Sequence, residues 1–160
     1  MRSPLRSEES LLNRRAGAAP APGERNHVPH IVIECSDNVR ARADIPALLE
    51  RVHAAALSTG IFPEGGIRTR LAERHDYLIA DGDPSNAFVH VVLRIREGRD
   101  VATRRRAAET VFTAVCDALD ATFQTAPLAI SLEIQEIDPE MSFRKNNLHE
   151  YVERRKAAHA

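Results

Sequence analysis

Pro29, Arg68 and Arg99 are the residues of this 160-residue chain whose types and settings could do chemistry together. Pro29 follows Val28, and a GTG codon spells Val inside a reading frame but is read as initiator Met at a start. Val28 is therefore a candidate start, and removal of the initiator Met before a small residue would leave Pro29 with a free amine. Proline is the one residue whose N-terminal backbone nitrogen is a secondary amine; within a chain that nitrogen is a tertiary amide with no proton. A free α-amine has a reference pKa of about 7.7 to 8.0, and a prolyl amine is somewhat more basic. Apolar burial and nearby positive charge both lower it, which makes a base suited to neutral pH, where well-placed proton transfer contributes about 100-fold to 10,000-fold. Arg68 and Arg99 could supply the charge. A guanidinium also grips a carboxylate through two parallel hydrogen bonds, or stabilises charge developing on an enolate oxygen. The residue types do not say which arginine takes which task. Phe62, in the Ile61-Phe62-Pro63 segment, is a candidate apolar wall beside the amine. Such a set moves protons without a metal or another cofactor.

Four separated segments carry a family likeness: PHIVIECSDNVR from Pro29, TGIFPEGGIRTR around Arg68, AFVHVVLRIREGR ending at Arg99, and SLEIQEIDPEMSFRKNN near the end. In their order and spacing, from Pro29 to about Leu148, they resemble the 5-carboxymethyl-2-hydroxymuconate isomerases of the tautomerase superfamily. The resemblance implies keto–enol (1,3-allylic) tautomerisation of an unsaturated polycarboxylate from homoprotocatechuate or 4-hydroxyphenylacetate degradation, with Pro29 as general base. It implies Arg68 and Arg99 as catalytic and substrate-binding residues, and a homotrimer whose sheets enclose a central channel. Two other readings stay open. One keeps the machinery for a related 2-hydroxymuconate or aryl-pyruvate enol; the other is a non-catalytic carboxylate-binding or assembly module, expected if residues 1–28 are retained.

Composition bounds the remaining possibilities. An apolar fraction of 43% in 160 residues suits one domain with a real core. A formal charge of -1 argues against a nucleic-acid or anionic-membrane binder, which needs a basic excess on one face. No run approaches the roughly 18 apolar residues of a membrane span. Cys35 and Cys116 stand apart in apolar settings with no CxxC or Cys/His grouping, so neither a disulfide framework nor a zinc site is expected, and a reducing cytoplasm fits. Residues 1–28 hold arginines among Ser, Ala and Pro without the apolar h-region of a secretory signal. They read as a disordered leader or a mis-called start, with an organellar transit peptide as the alternative. Residues 29–150 are the expected isomerase domain and 151–160 a short basic tail.

Hydrophobic periodicity supplies the scaffold. Ile31, Ile33 and Cys35 alternate with His30, Val32 and Glu34, the period of a strand. Ile45, Leu48, Leu49, Val52 and Ala56 recur at helical spacing, with Pro46 in the first turn and Gly60 at the stop. Residues 67–79 read as irregular extended chain, and Asp81-Gly82-Asp83-Pro84 as a turn. The pattern then repeats: a strand over Phe88 to Arg96, a helix capped by Asp100 with the stripe Ala108, Val111, Phe112, Val115, Leu119 and Phe123, and a strand through Leu128, Ile130, Leu132 and Ile134. Two tandem βαβ units predict an α+β, tautomerase-like fold: one four-stranded sheet with both helices on one face. The other face needs cover, which suggests subunit packing, with Phe143 to Asn147 reaching a neighbour.

Each chemical reading has a plainer rival. An internal proline ahead of a strand is usually an edge residue. Arg68 and Arg99 would by default be solvated, or paired with Glu64 and Asp100. His30 and His90 read as structural histidines, and Arg104-Arg105-Arg106 as an exposed helix face.

Overall fold

The computed structural model describes residues 29–159; the leader reading of residues 1–28 lies outside them. Four strands, β1 (His30–Ser36), β2 (Arg68–Arg74), β3 (Ala87–Arg96) and β4 (Leu128–Ile137), form one sheet in the order β2-β1-β3-β4. The pairs β1–β2 and β3–β4 are parallel and β1–β3 is antiparallel. Each parallel pair is closed by a crossover helix, α1 (Ile45–Ser58) and α2 (Val101–Thr125). The two helices pack on each other over the same sheet face. This is the tandem βαβ arrangement expected from the repeat.

Strand alternation explains which face is covered. The register aligns Ile31 with Leu93 and Ile134, and Ile33 with Leu71, Val91 and Leu132, on the helix side. Ile31, Ile33, Val89, Val91 and Leu93 are fully buried there. α1 starts where expected: Asp44 Oδ1 accepts from the Ala47 N–H at 3.0 Å, Pro46 sits in the first turn, and Ile45, Leu48, Val52 and Ala56 are buried. Gly60 follows the helix at φ 70°, a left-handed conformation that glycine adopts without steric cost. Asp100 caps α2, accepting from the Thr103 N–H and hydroxyl at 2.8 and 2.7 Å.

Three details depart from expectation. The buried stripe of α2 is Ala107, Val111, Val115, Leu119 and Thr122, whereas Phe112 and Phe123 are 37% and 54% exposed. Each Phe follows a buried position directly, so it is rotated about 100° from the sheet-facing line of a 3.6-residue helix. The extended region expected over 67–79 is a strand only from Arg68 to Arg74. A third helix, α3 (Leu148–Ala158), was not anticipated and crosses the 150/151 boundary; none of its residues is buried, so it carries no apolar stripe to betray it. α3 packs against the short 3-10 turn Glu64–Gly66 that leads into β2. Among the described residues no helix is long and apolar enough to cross a membrane.

Candidate active site

The sheet brings the sequence-predicted residues to one end. Pro29 stands directly before β1, the strand flanked by β2 and β3, and is itself buried. Its carbonyl oxygen accepts the main-chain N–H of Arg68 at 3.1 Å, because the parallel β1–β2 register sets His30 beside Arg68. β3 runs antiparallel to β1 with Arg94 opposite His30, so its C-terminal end, and the turn that carries Arg99, lie at the same end.

The two arginines are held by neutral carbonyls. Arg68 Nη1 donates to the Gly66 carbonyl at 2.6 Å. Arg99 Nη1 and Nη2 donate to the carbonyls of Arg96 and Ile61 at 3.2 and 3.1 Å. The acids that the plainer reading assigned to them are engaged elsewhere: Glu64 pairs with Lys156, and Asp100 caps α2. Phe62 is 5% exposed, and the Arg99 guanidinium lies over its ring, 5.7 Å from the centroid. This cation–π contact couples Phe62 to Arg99.

The turn ahead of Arg68 is pinned from behind. Asn146 Nδ2 donates to the Gly65 carbonyl at 2.9 Å. A Cβ at Gly65 would lie 2.7 Å from His149 Cα and 2.8 Å from its nitrogen, so glycine is required for the close approach of α3. Among residues 143–147, Asn146 thus braces the turn that leads into Arg68.

The open sheet face holds polar groups that the sequence reading had treated singly. Across three strands the register lines up Arg68, His30 and Arg94, with Gln135 next on β4; the row behind is Arg70, Val32, Val92 and Glu133. Arg70 Nη1 lies 3.0 Å from His30 Nδ1, and Arg94 Nε donates to Gln135 Oε1 at 3.0 Å. Partial burial lowers the His30 pKa below its ordinary 6.5, and the charges of Arg70, Arg68, Arg94 and Arg144 lower it further. His30 is therefore a neutral imidazole at pH 7 with Nδ1 accepting from Arg70. His90 Nδ1 meets Ser131 Oγ at 2.8 Å. Glu34 pairs with Arg74, whose hydrogen bond holds the Glu34 carboxyl below the usual carboxylate range. Five residues along an extended strand from Pro29, it is about 16 Å away, too far to touch that residue. Arg70 and Arg94 could have been found from period-2 spacing, since Arg68 and Arg70 share a strand face as do His90, Val92 and Arg94. Their convergence on His30 needed the strand order.

The fold is one that solved tautomerase structures share. A symmetric trimer named as fused 4-OT wild type matches with a TM-score of 0.57 at 16% identity, over 76% of this chain and 98% of that one. Closer likenesses bear on family. The crystal structure of a 5-carboxymethyl-2-hydroxymuconate isomerase from Deinococcus radiodurans R1 is 34% identical with a TM-score of 0.73, covering 79% of this chain and 96% of that one. The 5-carboxymethyl-2-hydroxymuconate Delta-isomerase of Escherichia coli is 39% identical over 122 residues, which is 76% of this chain and 97% of the relative. Residues 29–152 match the family described as 5-carboxymethyl-2-hydroxymuconate isomerase, and the chain belongs to that family. The match begins at Pro29.

Proposed function

We propose that this protein is an isomerase that converts 5-carboxymethyl-2-hydroxymuconate from its dienol to the conjugated ketone, with the amine of Pro29 as the base. Family membership and the 39% identity to the Escherichia coli Delta-isomerase support the reaction class, a shift of a C=C bond within one molecule. The single structural observation that carries the site is the Arg68 N–H···O=C Pro29 bond, which ties an arginine-bearing strand to the proposed base.

In this mechanism Pro29 is the first residue of the working enzyme. Its neutral amine takes the proton of the 2-hydroxyl, the oxygen lone pair becomes the ketone C=O, and the conjugated double bonds shift by one position. The carbon at the far end of the conjugated system then takes the proton back from the prolinium, so charge and atoms balance without a cofactor. Arg68 and Arg99 lower the amine pKa by their charge. One binds a substrate carboxylate and the other steadies the oxygen as it gains charge. Phe62 sets the orientation of Arg99.

The working assembly is proposed to be a homotrimer. The fused 4-OT structures of this fold are trimers, and the grooves bordering α2, one lined by Ala108, Phe112 and Leu132 and one by Val101, Arg104 and Ile134, include neither Pro29 nor Arg68. The small-molecule polycarboxylate is the expected partner and the cytoplasm the expected compartment.

Intact mass and N-terminal sequencing of the protein from its native host, with an ultraviolet assay of dienol loss on the same sample, tests this reading. The expected result is a chain starting at Pro29 that turns over the dienol. Fully active protein that begins at Met1 would overturn it.

A further inference from the structure

The sheet face beside Pro29 concentrates arginines that make no ion pair among the described residues. Arg40, Arg74, Arg104, Arg105 and Arg154 each pair with a carboxylate. Among the described residues Arg68, Arg70 and Arg94 pair with none; each donates instead to a neutral acceptor, the Gly66 carbonyl, His30 Nδ1 and Gln135 Oε1. The acids on this face bond other groups: Glu34 pairs with Arg74, and Glu133 accepts from Gln135 Nε2 at 2.7 Å and lies 3.9 Å from His90 Nε2. Arg68 and Arg70 are two residues apart on one strand, about 7 Å, and Arg94 stands two strand spacings from Arg68, about 10 Å. All three lie within about one Debye length at 0.1 M salt, so their repulsion is only partly screened. A sheet that sets like charges side by side is destabilised unless a counter-charge joins them.

We propose that Arg70, Arg94 and the Nε2–H of His30, together with Arg68, form an anion subsite on the open sheet face, which takes a substrate carboxylate remote from the enol. This rests on the polycarboxylate reading above and adds to it the residues that count carboxylates. A guanidinium has five N–H donors and each of these uses one on the protein, which leaves donors for a ligand. With Nδ1 accepting from Arg70, the proton of neutral His30 is on Nε2, so the imidazole is a further donor rather than a repelling cation. The Arg68–Arg94 span suits an extended short-chain dicarboxylate, one end at each guanidinium. A monocarboxylate gains only one end of the row, so Arg70 and Arg94 set a preference for dianions over monoanions and are specificity residues rather than parts of the proton relay.

The test is binding of adipate and of hexanoate to the full chain, by calorimetry at low ionic strength and by NMR titration of His30. Adipate is expected to bind more tightly than hexanoate and to raise the His30 pKa, since a bound anion favours the imidazolium. Arg70→Ala and Arg94→Ala are each expected to weaken adipate by about ten-fold or more, with little effect on hexanoate. Arg70→Lys and Arg94→Lys, which keep charge without the fork, are expected to retain part of the preference. Circular dichroism of each variant checks that the fold is kept. Equal affinity for the two acids, or an unchanged preference in both alanine variants, would overturn the subsite. Neither readout uses Pro29, so adipate selectivity without dienol turnover would sink the proposed reaction and leave the subsite standing; turnover without selectivity would do the reverse.

Discussion

The main-chain N–H of Arg68 donates to the carbonyl oxygen of Pro29 at 3.1 Å, so the residue proposed as base and the residue proposed as its cationic neighbour are joined through the backbone. The bond uses the carbonyl of Pro29 and leaves its nitrogen out of the ladder. With Pro29 at the N-terminus, as proposed, Pro29→Ala keeps that carbonyl and exchanges a secondary amine for a primary one of different basicity and geometry. Turnover is expected to fall by about 100-fold or more, with the thermal midpoint nearly unchanged. Steady-state rates beside a melting curve check this; unchanged turnover would remove Pro29 as the base.

Arg68→Ala and Arg99→Ala are each expected to lower kcat/KM by about ten-fold to 100-fold, the effect of one lost hydrogen bond to a charged group. The variant that mainly raises KM identifies the carboxylate clamp, and the one that mainly lowers kcat identifies the group facing the developing oxyanion. Phe62→Leu should reproduce part of the Arg99→Ala effect, because it removes the ring over which that guanidinium lies. Wild-type kinetics in both arginine variants would dismiss their role.

Gly65→Ala sets a methyl group against the main chain of His149, at 2.7 Å from its Cα. The expected cost is about 1 to 3 kcal/mol, relieved by α3 lifting from the turn. Denaturant midpoints measure the cost, and faster proteolysis near Asn146–Glu150 would mark the detachment. Asn146→Ala, which loses the bond to the Gly65 carbonyl, should act in the same direction more weakly.

Acid is expected to weaken the fold in two stages. His30 has a folded pKa below the ordinary 6.5, so the unfolded chain binds its proton first and stability declines as pH drops below about 6.5. The groups facing it are Arg68, Arg70, Arg94 and Arg144. Glu34, Asp37 and Glu73 are held below the usual carboxylate range by hydrogen bonds from Arg74, from Tyr77 and His75, and from Arg40. Their contribution is intact above the unfolded carboxylate values and fades below about pH 4. Urea midpoints across pH should therefore show a first decline that His30→Gln removes and a second that it leaves; a first decline that persists in His30→Gln would refute the assignment.

How much could be read without coordinates follows from the range of each signal. Ile31, Ile33 and Cys35 announced β1 because alternation is local, and Asp100 announced α2, as Pro46 and Gly60 did α1, because start and stop signals act within a few residues. Arg68 and Arg99 were singled out through family likeness, but the carbonyls of Gly66, Arg96 and Ile61 that their guanidinium groups meet are set by the fold and have no sequence pattern. Arg70 and Arg94 lie on different strands, and only the order β2-β1-β3-β4 sets them on either side of β1. Gly65 and His149 meet across 84 positions of sequence, a contact no local pattern encodes. α3 escaped notice because it has no apolar seam.

Because β1 is bordered by partners on both sides while β2 and β4 each have one, the strand that Pro29 leads into ranks among the last parts of the molecule to loosen. Warming should release the outer ribbon that bears Arg68 before it disturbs the inner one. Heat inactivation that runs ahead of global melting would then begin as poorer grip on the ligand, with the residue proposed as base still in place.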